Sequence, residues 1–249
     1  MSISKRLDQA RKAYAVGDLA ASQAAHTQQA IAAAREEHGG TASQYIGDLV
    51  YGGLDGIVTT FAVVSGVAGA ALGAGVVLIL GLANLLADGL SMAAGAYLSS
   101  KSEREYYARE RERETWEIEH VPEGERAELI EIYAARGYSQ EDAERLVEIQ
   151  SRDRERWVDA MMVHELGLLP DERRPILSAA ATLGAFVVAG ALPLAAYVAG
   201  LFGPVDPAVA FPTAIVLSGA ALFGLGAARV FVTERNWLRS GLEMLVVGG

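Results

Sequence analysis

Two carboxylates stand out in the first apolar stretch of the chain, because no basic residue accompanies them there. Asp48 and Asp55 are seven residues apart, so a helix places them on one face, two turns apart. In the next apolar stretch, Asn84, Asp88 and Met92 recur at every fourth position and define another face. Oxygen ligands suit divalent cations, and a thioether shifts the preference toward a softer transition metal. Two adjacent antiparallel helices would present these residues as facing polar stripes around a metal ion.

Asp48, Asn84 and Met92 also have simpler interpretations than metal binding. Ionisable residues inside membrane spans usually mark ion pathways or proton relays, which favours function for Asp55 and Asp88. Asp48 lies near the start of its helix, where a carboxylate is also favourable at the helix N-terminus. Asn84 fits an interhelical hydrogen bond, and Met92 fits apolar packing. The sequence leaves both interpretations open.

A second constellation lies in the strongly charged segment that follows. Glu110, Glu114 and Glu117 share one helix face by their spacing. The full set of candidate metal ligands in the segment is Glu114, Glu117, Glu125, Glu128, Met161, Met162 and Glu165. Carboxylates forced together raise each other's pKa, and a bound divalent cation removes that cost. The competing interpretation is a solvated face, because alternating Glu and Arg are typical of i,i+4 ion pairs in water. His120 and His164 are weaker ligand candidates.

The charge distribution predicts the elements that must position these residues. The 249-residue chain is 51% hydrophobic, with a net charge of -10 and no cysteine. No charged residue or histidine occurs in 56–87, 175–205 or 207–228, and about 20 apolar residues suffice to cross a bilayer as a helix. We therefore predict an all-α integral membrane protein. The negative charge argues against a nucleic-acid partner, and the absence of cysteine excludes disulfides and thiolate metal sites.

The predicted organisation has four parts. They are a polar N-terminal extension (1–43), transmembrane helices 1 and 2 (44–99), an acidic helical insert (100–174), and transmembrane helices 3 and 4 with the start of a fifth (175–249). Within them we expect membrane helices over about 46–72, 75–99, 175–200 and 213–233, and three helices in the insert. The third insert helix is predicted to start with a cap at Ser139 and to run to about Leu168. The last apolar segment begins at Trp237 and continues for about ten residues, which predicts a fifth span that is truncated.

Two pairs of glycines in the first apolar stretch have a spacing that permits close helix contact in lipid. They are Gly52 with Gly56 and Gly69 with Gly73. Such pairs are common by chance in a chain with 27 glycines. We expect the glycines around Asp55 to let another helix approach closely.

Lysine and arginine near the span ends predict the orientation of the chain in the membrane. The flanks of the insert and the loop after the fourth helix carry Lys101, Arg104, Arg109, Arg173, Arg174, Arg229, Arg235 and Arg239. The turns near Gly73 and over 201–212 carry none. The N-terminus and the insert are therefore predicted to be cytosolic.

Three motifs resemble the vacuolar iron transporter family, to which plant nodulin-21-like proteins and yeast vacuolar iron/manganese carriers belong. They are "YGGLDGIVTTFAVVSGVAGA", "GLANLLADGLSMAAGAYLSSKSEREYYARERERE" and "MMVHELGL". The resemblance covers about Tyr45 to Gly249. It implies a homodimer of five-span subunits that exports ferrous iron, and often manganese, from the cytosol in exchange for protons. It also implies that a cytosolic helical domain between spans 2 and 3 collects the metal.

Carried over position by position, the resemblance assigns Asp55 and Met92 to the transport path, with Asp48 nearby. It assigns all the candidate ligands of the insert to metal binding. One departure is Asn84, where some members carry glutamate, and this leaves Asp88 as the group that could substitute in proton coupling. The other departure is the short C-terminal segment.

The function predicted from the sequence is a divalent metal/proton antiporter for Fe²⁺, with Mn²⁺ as a further cargo. No enzyme activity and no permanently bound cofactor are expected, although Zn²⁺ or Co²⁺ could occupy the insert. The expected setting is a prokaryotic cell membrane or a eukaryotic vacuolar membrane. The alternative is a membrane-anchored metal-binding or sensing protein without transport. An iron-oxidising di-iron enzyme is disfavoured, because such bundles use two Glu-x-x-His pairs and the chain offers only Glu117 with His120.

Overall fold

The computed structural model describes residues 5–27, 44–202, 206–230 and 236–249, and these residues are helical with no strand. The chain divides into two compact units. We call Met1–Ala96 with Ile176–Gly249 the membrane unit and Tyr97–Pro175 the insert unit. The all-α prediction is therefore confirmed for the described residues.

The N-terminal extension contains two short helices, α1 (Lys5–Val16) and α2 (Leu19–Ala25), which pack against each other. The Asp18 side chain caps α2 by accepting a hydrogen bond from the backbone N–H of Ala21 at 3.0 Å. Residues 28–43 of this predicted extension lie outside the described residues, as does Arg235 of the orientation argument.

The predicted helical hairpin is present as α3 (Ile46–Gly69) and the start of α4 (Ala74–His120). The expected end of the second helix near Ser99 is wrong, because α4 continues without a break for 47 residues. No Gly or Pro occurs from Ala96 to His120, and Glu and Arg are good helix formers. One helix therefore belongs to both units, with its apolar half in the membrane unit and its charged half in the insert unit.

After the helices of the insert, which are described below, the membrane unit continues with α8 (Pro175–Gly190), α9 (Ala195–Ala199), α10 (Pro207–Ala228) and α11 (Trp237–Gly248). Among the described residues, α3, α4 and Ala208–Ala228 are long and apolar enough to cross a membrane, whereas α8 is apolar but shorter. The protein is thus an integral membrane protein by the length and composition of its helices. The complete five-span arrangement stays a prediction.

Two predicted boundaries in this part are wrong. The expected helix over 175–200 ends at Gly190 and is followed by a turn that contains Pro193, a residue that cannot donate a helix hydrogen bond. The fourth membrane helix, which was expected to start at about Thr213, starts instead at Pro207. Asp206 caps this earlier start by accepting from the Ala208 N–H at 2.9 Å, and proline is favourable in a first turn.

Small residues on α3 allow close helix packing, as the spacing of Gly52 and Gly56 predicted. A Cβ on Gly52 would lie 2.4 Å from the carbonyl oxygen of Thr182, and a Cβ on Gly56 would lie 2.4 Å from that of Phe186. The helix that approaches is therefore α8 of the same chain. The other predicted pair, Gly69 with Gly73, has nothing within 4 Å of the position that a Cβ would occupy.

Gly56→Ala should therefore destabilise the membrane unit, because the new methyl group collides with backbone that cannot move aside cheaply. Overpacking of this kind costs about 1–3 kcal/mol. Gly66→Ala on the same helix is the matched control, because a Cβ there meets nothing within 4 Å. We expect a lower melting temperature in detergent for Gly56→Ala and an unchanged or higher one for Gly66→Ala. Equal melting temperatures would contradict the packing argument.

The insert unit consists of the charged half of α4 with α5 (Pro122–Ala135), α6 (Gln140–Gln150) and α7 (Arg154–His164). Ser139 caps α6 as predicted, with its hydroxyl oxygen accepting from the Asp142 N–H at 3.2 Å. The single helix predicted from there to about Leu168 is wrong. It divides into α6 and α7 because Asp153 caps a new start, accepting from the Arg156 N–H at 2.9 Å. The buried core of the unit is Ile118, Leu129, Tyr133, Ala143, Val147, Trp157, Val158, Ala160, Met161 and Met162.

Candidate metal centre

Three glutamates from different helices of the insert unit meet in one place. Glu114 comes from α4, Glu125 from α5, and Glu165 from the residue that ends α7. Each offers a carboxylate oxygen, and these three oxygens lie within 4.8 Å of one another. We call these residues the acidic triad. Its geometry could hold a metal ion, since hard oxygen ligands from several elements are what divalent cations require.

Local sequence explains why two of these polar residues point inward. Glu114 lies one turn before the core residue Ile118, and Glu125 lies one turn before the fully buried Leu129. Residues four apart share a helix face, so the apolar residue that anchors each helix also buries its glutamate. Glu114 is 0% exposed and Glu125 is 6% exposed, whereas Glu165 is exposed.

The buried oxygens of the triad lack hydrogen-bond partners. Both carboxylate oxygens of Glu114 and one of Glu125 are buried without a hydrogen bond. Glu114 does have a charged neighbour, because Nη2 of the Arg113 guanidinium lies 2.6 Å from its Oε1 atom. Burying a carboxylate without satisfying its lone pairs is costly. The triad therefore has unused acceptor capacity, which a bound cation would satisfy.

Burial and mutual repulsion shift the titration of the triad. Burial, followed by the charge of Glu165, raises the pKa of Glu114 to about 7. Burial, followed by the charge of Glu128, raises the pKa of Glu125 to about 7. Burial and then Glu128 also raise the pKa of Glu165. Near neutral pH, a proton and a metal ion would compete for the same oxygens.

The other two predicted carboxylates lie at the edge of the triad. Glu117 is half-buried and contacts Arg113 Nη1 at 2.6 Å, and its charge acts on Glu114, Glu125 and Glu165. Glu128 is exposed, and its charge acts on Glu125 and Glu165. The structure thus brings every predicted glutamate of the insert into one electrostatically connected cluster.

Met161 and Met162 have a structural role that is directly visible. Both side chains are fully buried in the insert core, four and three residues before Glu165. This burial holds the end of α7 in place and so positions Glu165. Their role as thioether ligands stays a prediction.

Ion pairs fasten α7 to α4 beside the triad. Arg111 contacts Glu155 through Nη2 at 2.6 Å and Asp159 through Nη1 at 2.5 Å. Arg154 pairs with Glu119 on α4. The hydrogen bond to Asp159 is the main cause that holds the pKa of Arg111 above its usual range. These contacts keep the element that carries Glu165 against the helix that carries Glu114.

The two histidines considered as ligands have other partners at Nδ1. Arg136 donates to His164 Nδ1 at 2.5 Å and to the His164 carbonyl oxygen at 3.1 Å. Burial, followed by the charge of Arg136, lowers the pKa of His164. His120 Nδ1 donates to the Trp116 carbonyl oxygen at 2.7 Å, and its ring stacks on the Trp116 ring. Among the described residues, neither histidine belongs to the acidic triad.

The polar residues predicted for the membrane path face each other across α3 and α4. Asn84 Nδ2 donates to Thr59 Oγ1 at 3.2 Å, and Thr59 Oγ1 donates to the Asp55 carbonyl oxygen at 2.8 Å. Asp55 and Asp88 are close enough for their charges to interact. The interhelical hydrogen bond considered for Asn84 is therefore present. Asp55 and Thr59 on α3 thus face Asn84 and Asp88 on α4, and the place of Asp48 and Met92 in the stripes stays a prediction.

Asp48 and Met92 complete the set of residues predicted for the membrane path. Asp48 is half-buried, and its Oδ2 atom is buried without a hydrogen-bond partner. Met92 is half-buried and packs against the apolar core of the membrane unit. The packing interpretation of Met92 thus has direct support, and its role as a metal ligand stays a prediction.

The part of the chain that is similar to known proteins includes both the acidic triad and the polar residues of the membrane unit. A sequence model described as the VIT family matches residues 46–249. The chain belongs to the VIT family. The matched range contains the polar stripes of the membrane unit and the whole insert unit, so the resemblance drawn from the three motifs is confirmed.

Several VIT family relatives are similar over most of the chain. A vacuolar iron transporter of Toxoplasma gondii is 40% identical, with 98% of this chain and 84% of the relative covered. One of Plasmodium falciparum is 34% identical, with 99% and 92% covered. Vacuolar iron transporter 1 of Arabidopsis thaliana is 37% identical, with 84% and 82% covered. The first two similarities extend into the N-terminal extension, which the predicted resemblance had excluded.

The sequence analysis missed one residue beside the cluster. Arg113 contacts Glu110, Glu114 and Glu117 together. The signal was present, because Arg113 stands three residues after the first of these glutamates and four before the last. Spacings of this kind bring side chains together on a helix, but they did not reveal which Arg of this Arg-rich segment would face the cluster.

Proposed function

We propose that this VIT family protein transports divalent metal ions across a membrane, and that the insert captures them. The observation that carries the proposal is the acidic triad, in which a fully buried Glu114 keeps two oxygens without hydrogen bonds. These buried oxygens have acceptor capacity that a divalent cation would satisfy. Relatives named vacuolar iron transporters support Fe²⁺ as the cargo, and the oxygen-rich ligand set also accommodates Mn²⁺.

The proposal extends to metal/proton antiport out of the cytosol. Metal leaves the insert and enters the polar stripes, where Asp48, Asp55 and Met92 contact it. Asp88 takes over the proton coupling that Asn84, which has no ionisable group, cannot perform. Proton entry to these carboxylates on the acidic side then releases the metal. Facing stripes on α3 and α4, joined by the hydrogen bond from Asn84 to Thr59, support this path. The working unit is a homodimer in lipid, with the N-terminus and the insert in the cytosol.

Flux through reconstituted protein tests the proposal. Proteoliposomes with an acidic interior should take up Fe²⁺ or Mn²⁺, and dissipating the proton gradient should slow the uptake. Absence of uptake with a gradient of either sign would contradict transport. If the full-length protein binds metal in detergent while flux stays at background, the alternative of a membrane-anchored metal-binding or sensing protein is correct. The named relatives are transporters, and we propose no enzymatic activity.

The raised pKa values predict how the stability of the metal-free protein depends on pH. The folded state holds protons on Glu114 and Glu125 up to about pH 7, whereas the unfolded chain releases them near the ordinary value of 4.5. The folded state therefore binds more protons in this window, and stability falls as pH rises through it. We expect the melting temperature to drop between pH 5 and pH 8, by several degrees, about the shift that a few kcal/mol produces.

Saturating Mn²⁺ should reverse this loss at pH 8, because the cation replaces the protons on the triad. The double variant Glu114→Gln, Glu125→Gln is the control, because it removes both shifted groups and should flatten the pH profile. A profile that is equally steep in this variant would assign the pH dependence to other residues.

A further inference from the structure

Arg113 forms a bridge among three glutamates on its own helix. Its Nε lies 3.0 Å from Glu110 Oε2, its Nη2 lies 2.6 Å from Glu114 Oε1, and its Nη1 lies 2.6 Å from Glu117 Oε2. Glu114 and Glu117 belong to the proposed metal site, whereas Glu110 does not. The guanidinium therefore shares two carboxylates with the site that a metal ion would use.

Arg113 also supplies positive charge to the whole cluster. Among the described residues, it is the one basic side chain whose charge acts on Glu114, Glu125 and Glu165 alike. A guanidinium stays protonated in proteins and has no lone pair to give. It can neutralise the carboxylates, but it cannot serve as a metal ligand. A metal ion and the guanidinium thus compete for the same negative charge.

The surroundings of Arg113 leave room for it to move. Its side chain is 41% exposed, whereas the Glu114 side chain is 1% exposed. Glu110 lies one turn back on α4, and its side chain is 15% exposed. If Glu114 and Glu117 turn to a metal ion, Arg113 can keep its contact with Glu110 and remain paired.

We propose that Arg113 is an internal counter-ion, which neutralises the empty site and is displaced onto Glu110 when a divalent cation binds to Glu114 and Glu117. This inference rests on the proposed function, because it requires that the cluster binds metal. The counter-ion limits affinity: it makes the metal-free state less costly and so weakens capture. In a carrier this favours release of the ion to the next site.

Mn²⁺ binding by the full-length protein in detergent tests the proposal. We expect Arg113→Gln to bind Mn²⁺ about three- to tenfold tighter, the range that corresponds to displacing two partly exposed ion pairs. Arg152→Gln is the matched control, because it removes the same charge from the insert unit at a residue that pairs with Glu148, outside the acidic triad. The melting temperature without metal should be lower for Arg113→Gln than for the control, and its increase on adding Mn²⁺ should be larger.

A second variant tests the displaced position. Glu110→Gln removes the partner that retains Arg113, so the guanidinium stays on Glu114 and Glu117 and Mn²⁺ binding weakens. The loss should exceed that of Glu112→Gln, which makes the same charge change at an exposed position on α4. A structural role for Arg113 would weaken binding in Arg113→Gln and would not separate the two glutamate variants.

The failures of the two proposals are distinguishable. If Glu114→Gln binds Mn²⁺ as tightly as the unchanged protein, the cluster is not the metal site and the proposed function fails with the counter-ion. If binding depends on Glu114 while Arg113→Gln binds no tighter than Arg152→Gln, the counter-ion proposal alone is wrong.

Discussion

Glu114→Gln is expected to weaken metal binding by the full-length protein by about two orders of magnitude or more, since even loss of an outer-shell partner costs about 10–100-fold at metal sites. Glu114 is the most deeply buried member of the acidic triad, and one of its carboxylate oxygens lies within 4.8 Å of an oxygen of each of the other two glutamates. Glutamine keeps the shape of the side chain but removes the negative charge. Calorimetric titration with Mn²⁺ at pH 7 measures the effect.

The same substitution should stabilise the metal-free protein. At pH 8 the carboxylate of Glu114 is ionised, buried and without a hydrogen bond, so a neutral amide is less costly there. We expect a higher melting temperature at pH 8 together with a smaller response to Mn²⁺. Opposite changes in stability and binding identify a functional site, because a merely structural residue would lower both.

Glu112→Gln provides the matched control for this experiment. Glu112 lies on the same helix and is exposed, so the variant makes an identical chemical change outside the triad. Binding should stay close to that of the unchanged protein. If both variants lose affinity equally, the general acidity of the insert binds the metal, and the geometry of the triad does not.

Asp55→Asn is expected to reduce metal flux in proteoliposomes to the level of protein-free liposomes. Asp55 interacts with the charge of Asp88 and lies beside the hydrogen bond that joins α3 to α4. Removing its charge leaves a cation in the apolar part of the membrane without its main counter-charge, which raises the barrier to passage. Initial rates of Mn²⁺ uptake into vesicles with an acidic interior measure the effect.

Binding should persist in this variant, because the insert unit retains all its ligands. Asp55→Asn should therefore titrate with Mn²⁺ in detergent as the unchanged protein does, while its flux is lost. Glu243→Gln on α11 is the control for a carboxylate lost from the same unit, and it should transport normally. Full flux in Asp55→Asn would contradict the proposed path.

The sequence alone was sufficient for the elements whose physics is local. Charge-free runs identified the apolar helices, because a chain must satisfy its backbone hydrogen bonds internally to cross lipid. The cap at Ser139 followed from side-chain chemistry at a helix start. The helix boundaries were less predictable from the sequence. The cap at Asp153 divided one expected helix into two, and the absence of any helix breaker merged two expected helices into α4.

The sequence also showed the residue types of the candidate site, but it did not show which of these residues come together in space. Spacing placed Glu114 and Glu117 on one face and predicted facing stripes on α3 and α4. It could not establish that Glu125 and Glu165 reach Glu114, because that depends on how three helices pack around Leu129, Met161 and Met162. It left the solvated-face interpretation open, and only the 0% exposure of Glu114 decides against it for that residue.

The amino-acid sequence by itself thus determined that this is an all-helical membrane protein with polar stripes in its apolar helices and an acidic insert. Tertiary structure alone decided which carboxylates are buried, that Arg113 is their shared cation, and that Gly52 and Gly56 pack against α8 of the same chain. The physical reason is the separation in sequence between the residues that interact. Helix formation and partition into lipid depend on residues close in sequence, whereas burial, unsatisfied oxygens and shifted pKa values arise only when distant segments come together.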